Sequence, residues 1–186
     1  MSPASSGAHR LLVLAHGPTA DLRAARFGGA GGLSHREVLV PPREPVTAWF
    51  RGPEPACVET VARLGGAATA VDTLAGPRFG EWTGRTLVEV AAADPDAVGA
   101  WMSDPAVVPP GGESLAALVD RVGSWVADLT AGWSAVVVTP LVARAVVVAA
   151  LNAPADLVFG IDVAPGGRVV LTRAGGGGRW RLQELG

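Results

Sequence analysis

The chain has 186 residues, 49% of them hydrophobic and 17% charged, with a formal net charge of -2. That length and composition describe a folded chain with a sizeable core and exclude a disordered one. No run of five basic residues occurs, which argues against nucleic acid as a main partner.

The single cysteine, Cys57, cannot close an internal disulfide and suits a reducing compartment. Residues 1–10 are polar, and the apolar run after them is too short for a signal peptide or a membrane span. The expectation is a cytoplasmic protein with no membrane partner. It should form a single domain over residues 1–186, with residues 1–9 as a flexible tail.

Residues 11–14, Leu-Leu-Val-Leu, read as a short buried strand. Ala15-His16-Gly17-Pro18-Thr19 then stops it, because glycine and proline punctuate. His16 is thereby left at the carboxyl end of a buried strand, where open α/β sheets hold their ligands. A histidine satisfied within a strand-end loop fits the same spacing. Residues 21–26 form a charged loop or short turn. Ser34 can cap one or two helical turns over residues 34–40, which Pro41, Pro42 and Pro45 stop. Residues 46–50 are expected as the second strand, 56–64 as a helix closed by Gly65-Gly66, and 67–71 as the third strand. Strand, helix, strand at this spacing is a parallel βαβ unit.

Residues 74–85 are irregular and rich in glycine and aromatics, and 87–101 are helical in pattern with a break at Asp94-Pro95. The clearest amphipathic helix spans 113–129. There Leu115, Leu118, Val119, Val122, Trp125, Val126 and Leu129 recur at spacings of three and four and make one apolar stripe. Residues 134–139 read as a central parallel strand, and 141–151, apolar nearly all round, as a buried helix. Residues 157–163 and 168–172 read as two further strands, and 179–184 as an antiparallel edge reached across the glycines of 175–178. The six tryptophans are expected as core and loop anchors. The alternation of elements predicts a three-layer α/β/α sandwich around a mostly parallel sheet.

Several blocks, in order, resemble one family. They are His16-Gly17-Pro18-Thr19 with Arg26-Phe27-Gly28-Gly29, then Gly52-Pro53-x-x-Ala56-Cys57-x-x-Thr60-Val61-x-x-Leu64. Phe79-Gly80-Glu81-Trp82-Thr83-Gly84 and Pro110-Gly111-Gly112-Glu113-Ser114 follow, and Arg144 stands on the helix after the central strand. Together they are similar to the histidine phosphatase superfamily, in its phosphoglycerate mutase-like and α-ribazole phosphatase-like branch. The resemblance implies a phosphoglycerate mutase-like fold with His16 at the position of the nucleophile that becomes phosphohistidine. It also implies two arginines and a second histidine around the phosphoryl oxygens, and a glutamate that protonates the leaving group.

Most of those groups are missing. Ala15 stands for the first arginine, Ala56 for the second and Gly76 for the acid. The second histidine falls at Thr139 or Pro140. Losing one oxyanion donor commonly costs roughly a hundredfold to a thousandfold in rate, so phosphatase activity is expected to be lost. The resemblance then implies a pseudoenzyme, or a cleft repurposed for a small molecule or a protein partner. Two alternatives stay open: a working phosphomonoesterase or mutase with substitute arginines, and a different reaction with His16 as general base. Arg23, Arg26, Arg51 and Thr19 are the candidate ligand contacts on the rim, and Glu81 is a candidate acid. His9 and His35 are expected at the surface.

A first helix cut short would bare one face of the sheet for a partner or a second copy of the chain. No metal is expected, because the three histidines and the cysteine lie far apart, and no cofactor is implied.

Overall fold

The computed structural model describes residues 7–29, 31–34, 41–42, 45–130, 132–175 and 178–186. In chain order the elements are β1 (His9–Ala15), α1 (Ala20–Arg23), β2 (Ala48–Arg51), α2 (Pro55–Arg63), β3 (Thr69–Ala70), α3 (Leu87–Ala93), α4 (Pro95–Ser103), α5 (Leu115–Ala127), β4 (Gly132–Val138), α6 (Pro140–Ala150), β5 (Arg168–Arg173) and β6 (Trp180–Leu185). The strands form one sheet in the order β3-β2-β4-β1-β5-β6. The β3-β2, β2-β4 and β4-β1 pairings are parallel, and β5 and β6 join antiparallel at one side.

Alternation along β1 divides the core in two. Leu11, Val13 and Ala15 face the larger cluster, with Leu118 and Val122 of α5 and Val142 and Val146 of α6. Leu12 and Leu14 face the smaller cluster, with Cys57 and Val61 of α2. Helices therefore cover both faces, which gives the three layers. Val136 to Val138 in β4 are fully buried, as a strand sandwiched on both sides requires.

The family-like loop blocks are packing devices. Phe27 lies 4.9 Å from Phe79, 5.2 Å from Trp82 and 5.7 Å from Trp101 between ring centroids, and Trp101 lies 5.2 Å from Phe159. Gly80 lies against residues 110–112 so closely that a Cβ would collide with the Pro110 carbonyl, and its φ is 54°.

Three expectations change. Residues 157–163 are not a strand. A 3-10 turn runs Ala155–Val158 after Pro154, and Val158 and Val163 bury their side chains in the larger cluster as loop residues. A short apolar run alone does not separate a strand from a buried loop. β1 begins at His9, inside the segment expected as a tail. His9 itself is half-buried rather than on the surface, with Arg173 Nη2 3.1 Å from its Nδ1. The helical turns expected over 34–40, the cut-short first helix and His35 fall on residues 35–40, outside the described residues, as do residues 176–177 of the β5–β6 connection.

Candidate functional site

His16 follows the last residue of β1 and is held by the backbone on two sides. Its N–H donates to the Val138 carbonyl at 2.8 Å, and its carbonyl accepts from Gly166 at 3.0 Å. The residue is 5% exposed, and Nδ1 lies 2.7 Å from the Gly17 carbonyl. A neutral ring with its proton on Nδ1 satisfies that contact and leaves Nε2 with a lone pair. Burial lowers the imidazole pKa below its ordinary value, against the opposing pull of the Gly17 carbonyl and the Glu54 carboxylate. The next amide, Gly17 N–H, donates to Thr60 Oγ1 on α2 at 3.3 Å.

Glu54 is the N-cap residue of α2, but its side chain does not cap that helix. One carboxylate oxygen accepts the backbone N–H of Gly76, and the other lies 3.6 Å from Cys57 Sγ. Two glycines leave room for it. A Cβ on Gly76 would stand 3.2 Å from Glu54 Oε1 and 3.6 Å from Thr139 Cγ2. A Cβ on Gly52 would collide with Glu54 Oε2 and come within 3.0 Å of the Leu74 carbonyl. The carboxylate thus sits between the two positions at which the resembled family carries a serine and a glutamate.

The Gly76 segment is clamped from α5. Arg121 donates to the carbonyls of Thr73 (2.6 Å), Ala75 (2.8 Å) and Gly76 (3.2 Å), and to both oxygens of Glu113 (2.7 and 3.2 Å). Glu113 also accepts the Arg78 N–H at 3.0 Å. Burial pushes the Glu113 carboxyl up, but the hydrogen bonds from Arg121 and Arg78 and their two charges outweigh it, so its pKa falls below the ordinary value.

Thr139, the N-cap of α6, accepts the Val142 N–H at 3.3 Å and turns its methyl toward Gly76. Pro140 is the first residue of α6 and is buried. Thr139, not Pro140, therefore stands beside the Gly76 position. Ala15 and Ala56, at 1% and 2% exposure, are both packed away from solvent. Cys57 is fully buried. Burial and the Glu54 charge push its pKa up, so it is a thiol and not a nucleophilic thiolate.

Of the expected rim residues, Arg51, Arg26 and Thr19 have other partners, as does Arg144 of the helix after the central strand. Arg51 Nη1 donates to the Gly52 carbonyl at 3.0 Å. Arg26 donates to the Gly84 carbonyl and lies 3.4 Å from Asp21. Arg144 pairs with Asp162 at 3.0 Å. Thr19 caps α1 through its side chain, accepting from Leu22 N–H at 3.1 Å. Arg23 and Glu81 are exposed. The Glu54 carboxylate raises the His16 pKa against the larger, opposite effect of burial. Sequence reasoning passed over Glu54 as a variable position. The signal was there: glycine at residues 52 and 76, with an acid two residues after the first.

Among the described residues, no group of three or more His, Cys, Asp or Glu is placed to hold a metal ion, and no helix is long and apolar enough to cross a membrane. A shallow groove of about 490 Å³ lies over Ala48 to Phe50 and Ala67 to Thr69, toward the end of the sheet away from His16.

Residues 42–186 match the family described as histidine phosphatase superfamily (branch 1). The bifunctional protein Rv2228c of Mycobacterium tuberculosis is 30% identical over 139 residues, 65% of this chain. An uncharacterized protein of Mycobacterium bovis matches to the same degree, and the chain spans 38% of the length of these curated relatives. Among solved structures, a mycobacterial glucosyl-3-phosphoglycerate phosphatase complexed with VO3 has a TM-score of 0.78 at 25% identity, over 94% of this chain and 96% of that one. The α-ribazole phosphatase of Shigella flexneri has a TM-score of 0.77 at 18% identity, over 95% of each chain.

Proposed function

The chain belongs to the histidine phosphatase superfamily, and we propose that it has given up phosphomonoester hydrolysis and uses the space around His16 for a ligand less anionic than a phosphate monoester. One observation carries this reading: no arginine is bonded beside His16, and Arg26, Arg51 and Arg144 among the described residues are engaged with partners of their own. Phosphoryl transfer depends on cations around the equatorial oxygens. Here the two positions that would carry arginines are buried alanines, and the strand-end amide of Gly17 is bonded to Thr60. A phosphate dianion brought beside a carboxylate meets repulsion, which grows as water is excluded.

The occupant is a small molecule or a segment of a protein partner. The unpaired, buried thiol of Cys57 supports a cytoplasmic setting. A second reading, general-base chemistry on a non-phosphoryl substrate, draws on the neutral ring of His16, whose Nδ1 contact leaves Nε2 as a free acceptor.

The test is turnover. Wild-type protein and His16→Ala are given p-nitrophenyl phosphate and a panel of phosphorylated metabolites. The expected result is no release of phosphate above buffer. Hydrolysis by the wild type that disappears in His16→Ala would overturn the proposal and return the chain to the phosphatases.

A further inference from the structure

We propose that His9 and Arg173 form an acid-released latch, which holds the chain just after α5 against the sheet at the end away from His16. The inference does not depend on what binds beside His16.

Strand register assembles the latch. His9 of β1 pairs with Arg173 of β5, and Arg173 with Trp180 of β6, so the three side chains lie in a row on one face of the sheet. That face carries the larger core cluster, to which Trp180 and Leu129 belong. Arg173 Nη2 uses both of its hydrogens there. It donates to His9 Nδ1 at 3.1 Å and to the carbonyl of Leu129, two residues past the end of α5, at 3.1 Å. Carbonyls at a helix end lack partners in a following turn, and an arginine supplies one. The Arg173 guanidinium lies 4.7 Å from the centre of the Trp180 ring, and the His9 ring meets the same indole edge-on at 6.1 Å.

The bond to His9 exists in one protonation state only. Arginine has donors and no acceptor, so Nδ1 must offer its lone pair and the ring must be neutral. A proton on Nδ1 turns that acceptor into a second donor and sets a positive charge against a guanidinium that keeps its own. Neither His9 nor Arg173 pairs with a carboxylate among the described residues. Asp128, the C-cap of α5, forms no ion pair with either, and Gly132 of β4 brings no side chain. Arg10 and Arg181 stand on the opposite face of the sheet, and Arg179 precedes Trp180, so they add only positive charge. Burial, and then the Arg173 charge, hold the His9 pKa below its ordinary value against the opposing pull of the Thr130 backbone. The ring is therefore neutral at pH 7 and takes its proton in mild acid. Arg173 then turns from the imidazole, and the Leu129 carbonyl loses its donor. α5 also carries Arg121, the clamp on the Gly76 segment, so clamp and latch tie one helix at two places.

Hydrogen exchange tests the latch, read by mass spectrometry on the full chain at pH 7.5 and 5.5 and corrected for intrinsic rates. Exchange over residues 126–130 is expected to quicken about fivefold or more in the wild type at the lower pH. His9→Gln, whose side-chain oxygen accepts from Arg173 at both pH values, should not show that change. His16→Gln should keep it, which separates the latch from acid weakening of the whole fold. The proposal is overturned by no quickening in the wild type, by equal quickening in His9→Gln, or by a change that disappears in His16→Gln. If His9→Gln fails to fold, an NMR titration of the wild type decides. The amide shifts of Leu129 and Thr130 should follow the His9 ring with one midpoint. Amides that stay put while the ring titrates overturn the proposal.

Discussion

The carboxylate of Glu54 accepts the backbone N–H of Gly76, and a Cβ on Gly76 would stand 3.2 Å from that same oxygen. A side chain added at residue 76 would crowd the Glu54 carboxylate, which would have to give by a few tenths of an ångström. An acid at residue 76, where the resembled family carries its glutamate, would press against the acid at residue 54 in its present place.

Restoring the family residue therefore damages this protein. Gly76→Glu forces a second carboxyl into the space that Glu54 fills, with crowding and like-charge repulsion acting together. The expected loss is about 1–3 kcal/mol. Glu54→Gln in the same chain should recover part of it, and a double-mutant cycle from urea unfolding measures the coupling. Strictly additive losses would show that the two positions do not share the space.

The clamp behind the site is the stronger structural device. Glu113 has a side chain only 3% exposed and Arg121 one 21% exposed, 2.7 Å apart. Arg121→Ala leaves a buried carboxylate short of its main partner and frees three carbonyls, at a cost of about 3–5 kcal/mol in urea unfolding. The Arg144–Asp162 pair is the contrast. With Asp162 89% exposed, Asp162→Ala should leave the unfolding midpoint unchanged.

Acid weakens the fold through His16. Its folded pKa lies below the ordinary 6.5, so the unfolded chain takes up the proton first as pH falls. The stability tied to the neutral ring is complete above about 6.5 and drains away at lower pH. His9, also lowered, acts in the same direction. Glu113, held below its ordinary value, adds stability that is complete above the ordinary carboxylate range and is lost only in stronger acid. Comparing Tm at pH 7.5 and 5.5, His16→Gln should show a smaller fall than the wild type. An equal fall would place the His16 titration elsewhere.

Cys57 should be silent in the native state. It is fully buried and its pKa is raised, so Ellman's reagent at pH 8 is expected to label it only as fast as the protein unfolds. Rapid labelling of the folded chain would show that the α2 face opens.

The elements that carry the sheet were legible because their patterns are strong. The stripe from Leu115 to Val126 became α5, and the valine run before Thr139 became β4. Trp82 and Trp101 were expected as anchors, and they pack as one cluster with Phe27 and Phe79. Residues 157–163 were misread because Val158 and Val163 are buried by the loop's position over the core, which no local periodicity encodes. In the candidate site, the losses at residues 15, 56 and 76 were visible as letters. What replaced them was not. Residues 52, 54 and 76 meet only after β2, α2 and the segment before the Gly80–Trp82 turn have packed, so the carboxylate between two glycines is a tertiary fact.

The account stands or falls on whether a tetrahedral oxyanion binds beside His16. Titration calorimetry with orthovanadate on the wild type and on His16→Ala measures this directly. The account predicts no heat beyond dilution in either protein, with any Kd weaker than about 1 mM. A micromolar Kd in the wild type that vanishes in His16→Ala would contradict it.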